Sequence, residues 1–292
     1  MILARATGVT RRYGDVVALD RVDLDVPAGR LIGLLGPNGA GKSTLVALLT
    51  GIRRPTSGTV ELCGRDPRDP AARRSLGVTP QETGLPSSLR VGEVVDFVRA
   101  HYPDPLGRAE LLDRFGLSDL ARRQCGGLSG GQRRRVAVAL AFAGRPRVVF
   151  LDEPTTGLDV EARHALWDGV RTFHADGGTV VLTSHYLEEI EALAERVVVI
   201  GGGRVLADDT VAAVRGLVAV RRVSLTGADP LPPLPGVVGV ERDGERTHLL
   251  TPDADRLVRD LVAHDVAFTD LEVRPTSLEE AFLTLTHEPT AA

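Results

Sequence analysis

The run Gly36-Pro37-Asn38-Gly39-Ala40-Gly41-Lys42-Ser43-Thr44 carries the Gly-x-x-x-x-Gly-Lys-Ser/Thr spacing of a phosphate loop. Its glycines let backbone N–H groups converge on one point, and a helix starting there turns its partial positive end toward the same anion. Lys42 supplies a compact charge for the outer phosphates of a polyphosphate, and the Ser43 hydroxyl is placed to ligate a magnesium ion bridging them. The expected ligand is a Mg-nucleotide. Lys42 is the only lysine and Asn38 the only asparagine in the chain, and both fall inside the loop. In a chain that otherwise uses arginine for every cation but histidine, their survival points to a chemical requirement, for which Lys42→Arg is the test.

Further chemistry-bearing residues follow. Asp152 and Glu153 end the apolar run Val148-Val149-Phe150-Leu151, which places two carboxylates at the C-terminal edge of a buried strand, where ligands gather in open α/β sheets. Val180-Val181-Leu182-Thr183-Ser184-His185 repeats the design with a histidine at the strand end. Leu128-Ser129-Gly130-Gly131-Gln132 opens a helix-forming run from Arg133 to Ala143 and so makes a second glycine-rich helix start. A helix dipole disfavours cations in its first turn, which directs Arg133, Arg134 and Arg135 to solvent or to acidic neighbours. Tyr13 lies in a polar stretch where its ring could cap a sheet or stack on a purine.

The elements that must hold these residues are also legible. Leu31 to Leu35 reads as a buried strand entering the phosphate loop, and Leu45 to Leu49 as a buried helix face leaving it. Val16 to Val26 alternates apolar and polar residues before a Pro27-Ala28-Gly29 turn, predicting an antiparallel β edge ahead of an α/β core. Gly58 to Gly64 and Ser75 to Pro80 read as short strands, the second leading directly to Gln81. Val91 to Tyr102, with Val94, Val95, Phe97 and Val98, and Arg108 to Phe115 predict a helical insert, and Arg196 to Val205 a closing hairpin.

The composition limits the alternatives. A chain of 292 residues, 43% hydrophobic and 25% charged, can build a large α/β domain plus a smaller one. Its net charge of −4 provides no global basic field for nucleic acid or anionic lipid. Cys63 and Cys125 have no metal-ligand spacing and read as free thiols in a reducing compartment. No stretch approaches membrane-spanning length, and a start bearing Arg5, Arg11 and Arg12 is no signal peptide, so the expected location is the cytoplasm.

In their order, these motifs resemble the nucleotide-binding subunit of ATP-binding cassette (ABC) transporters over residues 1–215, with the pentapeptide Leu128 to Gln132 as the discriminating piece. The resemblance implies a phosphate-loop α/β core with an antiparallel β subdomain and a helical subdomain. It implies that Tyr13 stacks on adenine, that Gln81 links magnesium to a membrane partner, and that Asp152 holds magnesium. Glu153 resembles the general base for the attacking water, Asp159 the residue contacting the opposite subunit, and His185 the γ-phosphate sensor. Thr156 stands where serine is more usual, which keeps a hydroxyl. The family further implies a head-to-tail dimer around two ATP, in which Ser129, Gly130, Gly131 and Gln132 of one subunit close on ATP held by residues 36–44 of the other.

After Gly216 the composition changes, with a proline-rich link from Asp229 to Pro235. Val218 to Leu225, Val237 to Leu250 and Val266 to Val273 read as strands, and Ala254 to His264 as a helix with Leu257, Leu261 and Val262 on one face. Residues 216–292 are thus expected to form a small accessory α+β domain. Its ending, Ser277 to Leu283, resembles ATPase subunits of ABC-2-type exporters of the daunorubicin-resistance kind. The expected function is therefore an ATPase that drives export through a separate membrane permease, without nucleic-acid partners. The competing reading is a soluble ABC ATPase acting on nucleic acid or ribosomes, a class that usually carries two cassettes, a coiled-coil insertion or zinc cysteines.

Overall fold

The computed structural model describes residues 1–79, 84–184, 186–217, 221–227, 231–275, 278 and 282. Two compact units divide the chain, Met1–Thr210 and Val211–Ala292. In the first unit the strands are β1 (Ile2–Tyr13), β2 (Val16–Pro27), β3 (Leu31–Leu35), β4 (Ser57–Leu62), β5 (Leu76–Thr79), β6 (Val148–Asp152), β7 (Thr179–Thr183), β8 (Arg196–Gly201) and β9 (Arg204–Thr210). Its α-helices are α1 (Lys42–Leu49), α2 (Pro70–Arg73), α3 (Val91–Arg99), α4 (Arg108–Arg114), α5 (Gly130–Ala141), α6 (Val160–Ala175) and α7 (Leu187–Leu193).

Two sheets enclose the phosphate-loop helix. One is antiparallel, in the order β2-β1-β4, and the other runs β5-β6-β7-β3-β8-β9, with β9 antiparallel to β8 and the rest parallel. Strands β3, β6 and β7 are buried at every residue, which is why they read as continuous apolar runs and not as alternations. Helix α1 buries Leu45, Val46, Leu48 and Leu49 in a core shared with Leu24 and Val26 of the antiparallel sheet and Ile32, Phe150 and Val198 of the parallel one. A helix clamped from both sides cannot tilt, so the first turn of α1 is a fixed platform.

The helical insert forms as expected, with one difference in its faces. Val94 and Val95 of α3 are buried, but Phe97 is 64% exposed and packs edge-on against the His101 ring. Strand β1 carried no recognisable sequence pattern. Its pairing with β2 is broken by register shifts around Gly8, whose φ is +57°, so its buried residues do not alternate cleanly.

The second unit contains α8 (Val211–Leu217), β10 (Arg221–Thr226), β11 (Gly239–Asp243), β12 (Arg246–Thr251), α9 (Ala254–Ala263) and β13 (Thr269–Pro275). Its four strands pair antiparallel in the order β11-β12-β10-β13. The stretch Val237 to Leu250 is a hairpin of two strands, turning at Gly244 with φ +58°. Leu257 and Leu261 of α9 meet Val223, Leu225 and Leu249, whereas Val262 is 62% exposed and does not share their face. Of the terminal stretch Ser277 to Leu283, only Leu278 and Phe282 fall among the described residues, and Leu278 is buried.

Candidate functional site

The phosphate loop connects β3 to α1 as its spacing predicts. Gly36 is buried so tightly that a Cβ would come within 2.5 Å of the Ile200 carbonyl oxygen, and Gly41, at φ +107°, would bring one equally close to the Ala18 carbonyl. Neither position admits a side chain, and the backbone of the loop is thereby held in its turn. Lys42 is buried at the helix start, where its Nζ donates to the carbonyl oxygens of Gly36 at 2.7 Å and Pro37 at 3.1 Å. Burial pulls the Lys42 amine below its ordinary pKa, while the charges of Glu153 and Asp152 act in the opposite direction.

Sheet register brings the acidic pair to this loop. Asp152 of β6 lies level with Thr183 of β7, which in turn lies level with Leu34 of β3, so the strand ends form a row. Thr183 Oγ1 donates to Asp152 Oδ1 at 2.5 Å, and Ser43 Oγ donates to the same oxygen at 3.3 Å across 109 positions of sequence. Glu153 leaves the strand with φ +50°, a left-handed conformation that costs a non-glycine residue roughly 1–2 kcal/mol. Its N–H donates to Thr183, to the carbonyl oxygen at 3.1 Å and to Oγ1 at 3.0 Å. Thr156 Oγ1 donates to Glu153 Oε2 at 3.4 Å.

Ala18, residues 38–44 and Glu153 line a cavity of about 560 Å³, large enough for a nucleotide polyphosphate. Pro37, Asn38 and Gly39 are exposed at its mouth, and Ala40 is buried beneath it. Thr44 is half-buried and lies near the Tyr13 hydroxyl, which sets Tyr13 beside the first turn of α1. The Tyr13 ring is partly exposed, with the Arg11 guanidinium 4.5 Å from its centroid.

The second glycine-rich helix start is also formed. Ser129 caps α5, its Oγ accepting from the Gln132 N–H at 3.2 Å while Gln132 Oε1 accepts from the Ser129 N–H at 3.1 Å. Gly130 faces open space, and Gly131 packs on the Gly157-Leu158 backbone. Asp159 caps α6, accepting from the Ala162 N–H at 2.8 Å. Gln81 and His185 lie outside the described residues.

Two groups near the site carried no sequence signal for their roles. Arg134 takes the second of the two directions open to it: it is buried among the acids Asp152, Glu153 and Glu189, and it donates hydrogen bonds to the carbonyl oxygens of Asp152 and Glu153. Glu189 of α7 is fully buried and accepts from Thr155 Oγ1 at 2.9 Å and from the Trp167 indole at 3.2 Å. It therefore ties the segment after Glu153 to α6. Only its position four residues beyond His185, inside an otherwise ordinary amphipathic helix, could have drawn attention to it.

Burial holds the Glu189 carboxyl above its ordinary pKa, with its hydrogen-bond donors pulling the other way. The folded chain then holds this proton more tightly than the unfolded chain does. The contribution is complete below the unfolded carboxyl's range and is lost as pH rises through the folded value. Glu189→Gln removes that loss, because an amide can still accept from Trp167 and donate to Thr155. The expected outcome is a melting temperature that gains on wild type as pH rises above the ordinary carboxyl range. Parallel melting curves within and above that range check it.

Comparison with known proteins decides what this arrangement serves. The family described as ABC transporter matches residues 19–156. The daunorubicin resistance ATP-binding protein DrrA3 of Streptomyces coeruleorubidus is 40% identical over 96% of this chain and 94% of its own length. The chain belongs to the ABC transporter family. Within it, the doxorubicin resistance ATP-binding protein DrrA of Mycobacterium tuberculosis is 36% identical over 97% of this chain and 93% of its own. The Nod factor export ATP-binding protein I of Mesorhizobium japonicum is 35% identical, covering 96% of this chain and 85% of its own. Among solved structures, the ATP-binding subunit of an ABC transporter superposes with a TM-score of 0.67 at 28% identity, over 74% of this chain and 92% of that one. A dimeric ATP-binding cassette in a post-hydrolysis state with ADP and phosphate gives 0.65 at 26% identity, over 71% and 98%.

This ABC cassette is an ATPase, with the α/β core, antiparallel β subdomain and helical subdomain that its motifs predict. Among its described residues, no helix is long and apolar enough to cross a membrane.

Proposed function

We propose that the chain is the motor of an exporter, in which two copies close around two ATP molecules and drive a separate membrane permease. The observation that carries this reading is the convergence of Lys42, Ser43, Asp152 and Glu153 at one cleft from two strand ends far apart in sequence. In it, residues 36–44 cradle the phosphates and Lys42 turns its charge from the loop carbonyls to the outer phosphates. Tyr13 stacks on the base. The Glu153 carboxylate takes the proton of the water that attacks the γ-phosphorus, leaving ADP and phosphate.

The donor set fits magnesium. Ser43 Oγ and Asp152 Oδ1 are hard oxygens already facing each other. Among the described residues no group of three or more His, Cys, Asp and Glu side chains could hold a metal by itself, which suits an ion that completes its shell with phosphate and water. Bound there, magnesium would neutralise charge between the β- and γ-phosphates.

The Ser129-Gly130 helix start, exposed and capped, has the bare surface for a second phosphate beyond the one its own chain's loop would hold. A second copy supplying that phosphate explains why each chain pairs two such starts with one lysine. Asp159 and His185 would then join the contact between copies and the γ-phosphate, and Gln81 would couple magnesium to the permease. Residues 216–292 would act as an accessory packing domain. The export names of relatives that share nearly the whole chain support the direction of transport and a place on the inner face of the membrane. Copurification with a polytopic partner, followed by ATP-dependent transport in reconstituted vesicles, tests the proposal. ATP-dependent retention on DNA or ribosomes at physiological salt, without such a partner, would overturn it.

A further inference from the structure

The turn that presents Glu153 is strained and is held mainly from outside its own strand. Asp152 ends β6 and Glu153 adopts φ +50°, so the chain leaves the ladder here, and the Glu153 carbonyl accepts a long turn bond from the Thr156 N–H at 3.3 Å. Arg134 supplies what the sheet does not. It is 7% exposed, and one of its terminal nitrogens donates to the Asp152 carbonyl and, at 3.0 Å, to that of Glu153. On the other side of the turn, the Glu153 N–H is fixed by Thr183. Arg134 stands on α5 three and four residues beyond Gly131 and Gly130, so the same helix face carries the glycines of the helix start and the guanidinium. A helix is stiff over one turn, and a displacement of its exposed N-terminus moves the guanidinium with it.

We propose that Arg134 is a positioning residue for hydrolysis, a strut that fixes the Asp152-Glu153 turn and makes the aim of the Glu153 carboxylate depend on where the glycine-rich start of α5 sits. The inference rests on Glu153 being the base. It adds that engagement of Ser129, Gly130 and Gly131 with a phosphate is relayed to the base of the same chain through a single guanidinium. Both bonds leave one terminal nitrogen, whose two N–H directions are fixed by the plane of the guanidinium, whereas the ammonium of a lysine here would sit on a shorter stem and rotate freely. The neighbouring acids Asp152, Glu153 and Glu189 oppose the desolvation of Arg134 and keep a cation acceptable here.

The test compares Arg134→Lys and Arg134→Met with wild type in steady-state ATP hydrolysis, in binding of a non-hydrolysable ATP analogue and in melting temperature, with Glu153→Gln in parallel. A strut predicts kcat lowered about tenfold in Arg134→Lys and about a hundredfold in Arg134→Met, with KM for ATP and analogue affinity within about twofold of wild type. Wild-type kcat in Arg134→Lys overturns the proposal, as does a loss of turnover matched by an equal loss of analogue binding, which is a folding defect. Should Arg134→Met fail to fold, Arg134→Lys decides alone. Normal turnover in Glu153→Gln would remove the base and the strut together. An inactive Glu153→Gln beside a fully active Arg134→Lys removes the strut only.

Discussion

Glu153→Gln lowers ATP turnover by roughly 10²–10⁴-fold, the range a general base contributes, and leaves ATP binding intact. The amide keeps the shape of the side chain and can still accept from Thr156, 3.4 Å from the carboxylate, so the turn and the cavity remain. What it loses is the ability to take a proton from water. A chain that binds ATP but cannot discharge it accumulates in the closed state, and the variant is expected to run as an ATP-dependent dimer in size-exclusion chromatography with light scattering. A variant that hydrolyses at the wild-type rate, or that stays monomeric with saturating Mg-ATP, contradicts the proposed chemistry.

Lys42→Ala has the second large effect and acts one step earlier. The Lys42 amine is buried, already desolvated and already oriented by the carbonyls of Gly36 and Pro37, so much of the cost of placing a cation beside phosphate is met before nucleotide arrives. Losing one or two charge-assisted hydrogen bonds at about 1.5–3 kcal/mol each weakens nucleotide binding by roughly 10–10⁴-fold. Lys42→Arg is expected to fail as well. Its charge is retained, but the guanidinium is planar and broader than the ammonium held between those carbonyls. Calorimetric titration with Mg-ADP together with a phosphate-release assay separates binding from turnover. Unchanged affinity and turnover in Lys42→Arg would show that any cation serves.

These expectations draw unequally on sequence and fold. The phosphate loop was legible because its chemistry is local: the Cβ-free positions, the lysine and the hydroxyl lie within nine consecutive residues, and spacing alone nearly fixes their geometry. Strands β3, β6 and β7 were legible for a related reason, since burial on both faces writes itself as an unbroken apolar run. Strand β1 was not. Register shifts around Gly8 interrupt its alternation, and its arginines hide a strand whose one face is core. Phe97 and Val262 show the same limit from the helix side, where periodicity marks an apolar residue but not which way it turns.

By itself, the sequence determined that a phosphate-loop turn opens a helix, that two carboxylates end a buried strand, and that a second glycine-rich helix start exists. Only the tertiary structure decided that Asp152 meets Ser43, that Thr183 stands between the acids and the loop strand, and that Arg134 reaches the carbonyls of the Asp152-Glu153 turn. Read from the sequence, the helix dipole sends an arginine near the start of α5 toward solvent or acids. Backbone carbonyls where a left-handed residue ends a strand are a further sink for its charge, and no local rule reveals them. The physical reason is one of range: backbone conformation and capping are set within a few residues, whereas hydrogen-bond partners between strand ends are set by sheet order, which the chain fixes only when it folds.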